Sequence, residues 1–419
     1  MDQTQALKIL KSKQNIFLTG SAGTGKTFLL NKFIEYLKRE KIRVSVTAST
    51  GIAATHLGGR TIHSWSGMRI ENKLDDKQVR KLLRDEKLRD RIRNAEVLII
   101  DEISMLDAKR LDLLNKICQA ARGPFLSFGG LQVVMCGDFF QLPPVNKKKE
   151  EVEFAYKSYA WEEAKIKVCY LDQQYRQNDL EFVDVLNGIR ENKASEDILN
   201  KLKTRLFKKI DCSIEPTKLY THNADVDEIN NSELAKIHEK KMIYRMDSKG
   251  PEKIITFLKK NCLAPEELSL KLGAIAMFVK NNFREGYVNG TLGKVVGFDK
   301  SNLPIVKTKS GCKITATPVS WELEENGEVI AEIRQIPLRL AWAITIHKSQ
   351  GMSLDAAEID LSKSFECGMG YVALSRVRRL DGIKLMGINQ MALEVSPEIV
   401  EKDKEFRELS KQAEEEFKK

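Results

Sequence analysis

The sequence predicts an α/β protein made of two α/β halves, only the first holding a phosphate cradle, with a small β-rich barrel inserted in the second. Three observations lead there. Between Asn15 and Leu37 a strand, a glycine-rich turn and an amphipathic helix follow one another. The apolar runs Val97 to Ile100 and Leu131 to Cys136 each end in polar groups, as buried strands of a parallel sheet do. From Thr291 to Ile336 the pattern turns short, β-rich and turn-rich.

Bulk properties bound the problem. A chain of 419 residues is too long for one compact core, so two to four domains are expected. With 42% hydrophobic and 31% charged residues it reads as soluble and globular, and no apolar run reaches the length of a membrane span. Met1-Asp-Gln-Thr-Gln5 lacks the basic-then-apolar pattern of a secretory signal. Membrane partners are therefore not expected. Seven cysteines stand singly with no C-x-x-C, which suggests neither a disulfide framework nor a zinc site. The expected compartment is the cytoplasm, with nucleoid association in a prokaryote. A net charge of +10 favours a polyanion partner, nucleic acid first. Lys/Glu-rich surfaces also occur in heat-adapted proteins, so charge alone does not decide.

The phosphate cradle is the sharpest signal. Ile16 to Thr19 reads as a buried strand, and Gly20-Ser-Ala-Gly-Thr-Gly-Lys-Thr27 follows it. Glycines let backbone N–H groups close around a polyphosphate without Cβ clashes. The helix that follows, with Phe28, Leu29, Phe33, Ile34 and Leu37 as its apolar residues, adds the partial positive charge of its N-terminus. Lys26 reaches the β- and γ-phosphates in such a loop, and the Thr27 hydroxyl ligates Mg²⁺. Gln3 and Gln5, in a short helix over residues 1–14, stand just upstream. A glutamine amide both donates and accepts, which suits an adenine edge, although a surface position is the simpler reading of either.

Further along, Val44 to Ala48 is a second strand, and Thr50 or Ser49 caps a helix over the following residues. Gly59-Arg-Thr-Ile-His63-Ser-Trp65 holds the hydroxyl, imidazole and aromatic types that line a single-strand track, with Trp65 itself better read as core. Residues 66–95 are highly charged with a thin apolar stripe, a small helical insertion whose charge is solvated. Asp101 and Glu102 end the all-apolar strand, where Asp101 suits Mg²⁺ and Glu102 suits orienting or deprotonating a water. Gln141, past the next strand, suits sensing a γ-phosphate. Lys147 to Glu153 is a solvated charge run. Arg176 follows the strand Val168 to Leu171, and a second basic group is what a hydrolysing site needs to balance developing charge. Lys218 to Asn223 and Leu272 to Asn282, the latter with a polar end, read as strands, Asn289-Gly290 as a tight turn, and residues 394–419 as a docking helix with Phe406, Leu409, Ala413 and Phe417 on one side.

Together these motifs resemble superfamily-one helicases, most closely the Pif (petite integration frequency) family of DNA helicases. The matching stretches are Gly20 to Thr27, Thr50-Gly-Ile-Ala-Ala54, Ile100-Asp-Glu-Ile-Ser-Met-Leu106, Gly137-Asp-Phe-Phe-Gln-Leu-Pro-Pro144, Gln174-Tyr-Arg176, Thr345-Ile-His-Lys-Ser-Gln-Gly351 and Tyr371-Val-Ala-Leu-Ser-Arg376, in the family's order and over nearly the whole chain. The resemblance implies two RecA-like domains with ATP between them. The first spans 1–65 and 96–165, with the insertion 66–95 a candidate to bear the strand-splitting wedge. The second spans 166–290 and 337–395, with an SH3-like barrel at 291–336 and a C-terminal helix at 396–419. It implies ATP and Mg²⁺ as cofactors, with Gln3, Gly20, Ala22, Gly23, Thr24, Gly25, Lys26, Thr27 and Phe28 around the nucleotide and Thr27 and Asp101 on the metal. Lys26, Glu102, Gln141, Arg176 and Arg376 are the implied catalytic set. DNA contacts fall on Thr50, Gly51, His63, Lys280, Asn281, Asn289, Gly290, Thr345, His347 and Lys348.

The same resemblance implies a 5′→3′ motor, monomeric when free, acting on single-stranded DNA, its junctions with duplex and structured DNA including G-quadruplexes. It implies roles in replication, repair, recombination and telomere maintenance. A RecD-like or RNA-directed helicase of the same superfamily is the alternative. A nucleic-acid-binding protein with a dead site is disfavoured by the intact catalytic set.

Overall fold

The computed structural model describes residues 1–68, 73–144, 153–177, 179–210, 216–220, 226–282, 284–308, 310–325 and 328–417. Two units emerge, one of residues 1–175, 322–330 and 401–419, the other of 176–321 and 331–400.

In the first unit six strands form one parallel sheet: β1 (Ile16–Gly20), β2 (Val44–Ala48), β3 (Arg60–Thr61), β4 (Val97–Asp101), β5 (Gln132–Cys136) and β6 (Lys167–Leu171), in the order β3-β2-β4-β5-β1-β6. β1, β4 and β5 are buried along their whole length, as their unbroken apolar runs require. The helices are α1 (Gln3–Leu10), α2 (Lys26–Arg39), α3 (Gly51–His56), α4 (Ile62–Ser66), α5 (Asp76–Leu82), α6 (Glu86–Asn94), α7 (Ala108–Arg122) and α8 (Tyr159–Glu163). α2 buries Leu29, Leu30, Phe33, Ile34 and Leu37. Phe28 is not on this face. It is 48% exposed, because at about 100° per residue it points roughly 140° away from Phe33. Trp65 is core, as expected.

The charged stretch 66–95 forms α5 and α6, each buried only along a thin stripe (Val79, Leu88 and Ile92) and opened by aspartate caps, with a full capping box between Asp75 and Gln78. The Arg91 guanidinium donates to Ser64 O and Trp65 O, pinning the C-terminal end of α4. Residues 69–72 and 147–152, in the insertion and the lysine run, lie outside the described residues.

The second unit has its own parallel sheet. α9 (Leu180–Arg190) and α10 (Glu196–Lys203) precede β7 (Thr217–Tyr220) and α11 (Val226–Ala235). The described part of the strand expected over Lys218 to Asn223 ends at Tyr220, and Thr221 to Asn223 lie outside the described residues. Then come β8 (Met242–Arg245), β9 (Asp247–Lys249), α12 (Glu252–Asn261), β10 (Glu267–Leu270), β11 (Ile275–Phe278), β12 (Leu292–Phe298), β13 (Pro304–Thr308), β14 (Lys313–Thr315), β15 (Val319–Glu325), β16 (Glu328–Gln335), β17 (Leu338–Leu340), β18 (Ala343–Thr345), β19 (Ala357–Leu361), α13 (Met369–Leu374) and β20 (Ile383–Ile388). β18-β7-β19-β20 is parallel, whereas β14-β13-β12-β11-β17 is antiparallel. The antiparallel region is wider than residues 291–336, since β9 pairs with β16 and β8 with β10 upstream.

The last helix, α14 (Pro397–Glu416), belongs to the first unit from residue 401. Its Phe406 sits among Phe17, Phe139, Tyr156 and Trp161 with ring centroids 5.0–6.2 Å apart. Asp403 accepts from the Tyr170 hydroxyl, and the Arg407 guanidinium lies 4.2 Å over the Tyr170 ring. The expected docking face is thus an aromatic knob reinforced by a polar clamp on β6.

Candidate active site

In the first unit the nucleotide and acidic candidates stand past the carboxyl ends of parallel strands, where such sheets bind ligands. β5 lies between β1 and β4, so the segment leading to Gln141 leaves the sheet between the glycine loop and Asp101. In the loop Gly20, Gly23 and Gly25 have φ of 144°, 94° and 81°. A Cβ on Gly20 would come 2.5 Å from Leu171 O, and one on Gly25 would come 2.3 Å from Gln3 Nε2. The Lys26 ammonium donates to Gly20 O (2.8 Å) and Ser21 O (3.0 Å), folded over the mouth of the loop. Gln174 Nε2 braces the same loop through Ser21 Oγ and Ala22 O.

The two upstream glutamines separate here. Gln3 Nε2 donates to Thr24 O (3.3 Å), whereas Gln5 Nε2 donates to Glu414 O on α14. Tyr175 adds a feature that the motif reading left without a role. Its N–H donates to Gly23 O (3.0 Å), and its half-exposed ring lies beside Gly25. An open aromatic face next to an amide suits a purine base. Phe28 is exposed on the first turn of α2, with the Lys32 ammonium 4.5 Å from its ring centroid.

Asp101 is buried, and burial pushes its carboxyl above the usual range; the Glu102 N–H (2.9 Å), the Cys136 thiol and the Lys26 charge oppose that shift. Glu102 adopts the left-handed region (φ 52°, ψ 47°), a strain of about 1–3 kcal/mol for a non-glycine residue. Ser49 Oγ donates to its carbonyl and holds the conformation (2.6 Å). Gln141 is 6% exposed, and among the described residues its Oε1 has no hydrogen-bond partner. A buried carboxyl near an ammonium and an orphaned amide oxygen fit a phosphate ligand with a divalent ion. Among the described residues there is no cluster of three or more protein metal ligands.

In the second unit Arg176 and Arg376 converge. Arg376 is 1% exposed, donating from Nε to Val372 O (2.8 Å) and from Nη2 to Ser375 Oγ (2.9 Å). Arg176 Nη1 donates to Ser375 O (3.1 Å).

The nucleic-acid candidates fall into two groups. In the first unit Ala48 pairs with Thr61, and Thr50 and His63 stand two residues past these partners. The Thr50 hydroxyl accepts from the Ala53 N–H and caps the helix that begins at Gly51. Burial, then the Arg110 charge, lowers the pKa of His63. In the second unit Asn281 Oδ1 accepts from the Asn289 N–H (2.8 Å), and Gly290 packs so closely on Ser353 that a Cβ would lie 2.5 Å from its carbonyl oxygen. This joins residues 281–290 to the segment after β18. His347 is partly buried with a lowered pKa, and the Lys348 side chain lies outside the described residues. Thr345 is buried at 1% exposure, and the half-buried Lys280 donates from its ammonium to Ser320 O and lies 5.2 Å from the Trp321 ring centroid.

The comparisons with known proteins decide the family. The model of PIF1-like helicases matches residues 2–200, and that of the DNA helicase Pif1 2B domain matches 255–298. The ATP-dependent DNA helicase Pif1 of Psychrobacter sp. is 43% identical over the whole chain, which spans 72% of that protein. The chain belongs to the Pif1 helicase family. As a Pif1 helicase it is an ATP-dependent DNA helicase. Unliganded Pif1 from Bacteroides sp. superposes with a TM-score of 0.82 at 32% identity, covering 97% of this chain and 96% of that one. A Bacteroides Pif1 helicase in complex with ADP-AlF3 and single-stranded DNA gives 0.62 at 32% identity, with the same coverage. The RecA-like α/β fold with insertions is thereby established. Reading this Pif1 chain by motif left Tyr175, Gln177 and Cys136 without roles. Tyr175 lies inside the stretch Gln174 to Arg176 and Gln177 directly follows it, and that adjacency was the available signal. Cys136 had none, because only the β4–β5 pairing brings it to Asp101.

Proposed function

We propose that this chain is a motor that moves 5′→3′ on single-stranded DNA, hydrolyses ATP with Mg²⁺, and unwinds duplex and structured DNA, G-quadruplexes included. The observation that carries this reading is the shared carboxyl edge of one sheet. It presents a phosphate loop closed by Lys26, a strained Glu102 beside a buried Asp101, and a buried Gln141 whose Oε1 has no partner among the described residues. Lys26 and the loop N–H groups take the phosphates, Gln3 the adenine edge, and Thr27 with Asp101 the metal ion. Glu102 orients and deprotonates the attacking water, Gln141 reports the γ-phosphate, and Arg176 and Arg376 balance charge that develops on the γ-phosphoryl.

Residues 1–65 and 96–165 form the nucleotide domain in this reading, 66–95 bear the wedge, and 166–290 with 337–395 form the second motor domain. Single-stranded DNA is held by Thr50, Gly51, His63, Asn281, Asn289, Gly290, His347 and Lys348, through phosphates and base faces. The free protein is a monomer, working in the cytoplasm at the nucleoid if its source is prokaryotic. The Bacteroides complex with ADP-AlF3 and single-stranded DNA supports the pairing of nucleotide and strand. Polarity is the deciding test. With ATP and Mg²⁺ the protein is expected to unwind a duplex with a 5′ single-stranded tail and to do little on a blunt duplex or one with a 3′ tail. Preferential unwinding of the 3′-tailed substrate would overturn the polarity.

A further inference from the structure

Gln177 follows Arg176 directly, and the motif reading leaves it idle. It is 4% exposed, and its Nε2 donates to both Ser375 O (3.1 Å) and Val377 O (3.3 Å). These two carbonyls flank Arg376. Ser375 O also accepts from Arg176 Nη1 (3.1 Å), so one carbonyl oxygen uses both of its lone pairs on adjacent residues of the 176–177 segment. Asp179 extends the strap: its Oδ1 caps α9 through the Phe182 N–H (3.2 Å), and its Oδ2 accepts from the Leu380 N–H (3.1 Å). Arg176, Gln177 and Asp179 therefore grip the turn 375–380 at Ser375, Val377 and Leu380.

From this geometry we propose that Gln177 is a positioning residue that holds Arg176 and Arg376 in register through the backbone of Ser375 and Val377. The inference rests on the assignment of those two arginines to the γ-phosphoryl. Arg376 has a buried side chain anchored to the last turn of α13. Its guanidinium is placed only as well as the carbonyls on either side of it are fixed. Ala373 O receives the Arg376 N–H, but the carbonyls of Ser375 and Val377 lie beyond the helix end and have no donor within it. A glutamine amide offers two N–H groups on one planar nitrogen, which suits bridging two carbonyls two residues apart. No apolar side chain of the same length does this. The amide is held through its donors to Ser375 O and Val377 O, and among the described residues its Oε1 atom has no hydrogen-bond partner.

The test uses the full chain and measures single-strand-stimulated ATP hydrolysis for Gln177→Met, Arg376→Ala and the double variant, with thermal melts of each. Gln177→Met keeps the length and removes both donors. It is expected to lower kcat by roughly tenfold with KM for ATP unchanged, because the arginines act as charge develops. In the Arg376→Ala background the same substitution is expected to cost much less than in the wild type, since only Arg176 is then left to position. If Gln177→Met does not fold, Gln177→Glu takes its place in the same cycle, with an acceptor aimed at two carbonyls. Wild-type kcat in the Gln177 variant beside an impaired Arg376→Ala overturns the positioning role alone. So does an additive loss in the double variant, which would mark a merely structural part. Normal kcat in Arg376→Ala overturns the arginine assignment itself.

Discussion

Replacing Gly25 by alanine tests how the loop and the upstream glutamine are coupled. Gly25 has φ 81° and ψ 23°, and a Cβ there would lie 2.3 Å from Gln3 Nε2. Two costs follow. Holding an alanine in the left-handed region costs about 1–2 kcal/mol. The Gln3 amide, as the end of a flexible side chain, swings away and gives up its bond to Thr24 O, worth about 0.5–1.5 kcal/mol. The sum, about 1.5–3.5 kcal/mol, corresponds to a fall in Tm of roughly 5–10 °C for a unit of this size. If Gln3 holds the base as proposed, displacing it removes a ground-state contact, so KM for ATP is expected to rise with a smaller change in kcat. Gln3→Ala provides the control, because it loses the contact without the strain and is expected to raise KM with little change in Tm. Differential scanning calorimetry and steady-state hydrolysis measure both. A Gly25→Ala protein with wild-type Tm and KM would refute the coupling. A rise in KM for Gly25→Ala with none for Gln3→Ala would show that the loop, not the glutamine, is the cause.

Two more predictions concern the acidic strand end and the last helix. Burial raises the Asp101 pKa in the folded state, so its carboxylate is favoured in the unfolded chain, and native stability is lost as pH rises from the unfolded value of about 3.9 through the folded one. Asp101→Asn without Mg²⁺ is therefore expected to melt higher than wild type at pH 8, with the gap narrowing as pH falls towards 4, and to lose ATP hydrolysis; a lower Tm at pH 8 would contradict the sign. Phe406→Ala empties a site that is 3% exposed among four aromatic rings, and is expected to cost about 3–5 kcal/mol in denaturant unfolding. Because Phe139 lies two residues before Gln141, kcat is expected to fall as well. A loss under about 1 kcal/mol would mean that α14 does not dock through this ring.

The parts legible in the sequence were those whose signal is local. A glycine-rich turn between an apolar strand and an amphipathic helix can be read from neighbouring residues, and so can an apolar strand ending in Asp101 and Glu102. Trp65 was assigned to the core correctly from its surroundings. Phe28, grouped with the apolar residues of its helix, lies off the buried face, because a run of apolar residues at a helix start does not say where that face begins. Lys280 is expected at the DNA from its segment, and the structure adds that its ammonium also meets Ser320 O and the Trp321 ring. Ser320 and Trp321 are some 40 residues away in sequence, and nothing near Lys280 announces them.

By itself, the sequence determined the chemical inventory: the phosphate loop, the acidic pair, the glutamine, the two arginines and the resemblance that ordered them. It did so because each element's period and punctuation depend on contacts within a few residues. Only the tertiary structure decided the rest. It inserted β5 between β1 and β4, setting the Cys136 thiol on Asp101. It sent Gln3 to the loop and Gln5 to the last helix. It brought Arg176, Gln177 and Asp179 onto a turn some 200 residues further along the chain. Such juxtapositions follow from strand order and helix docking, which are set by burial of the whole apolar surface, and burial of that kind leaves no mark in the local spacing of residues.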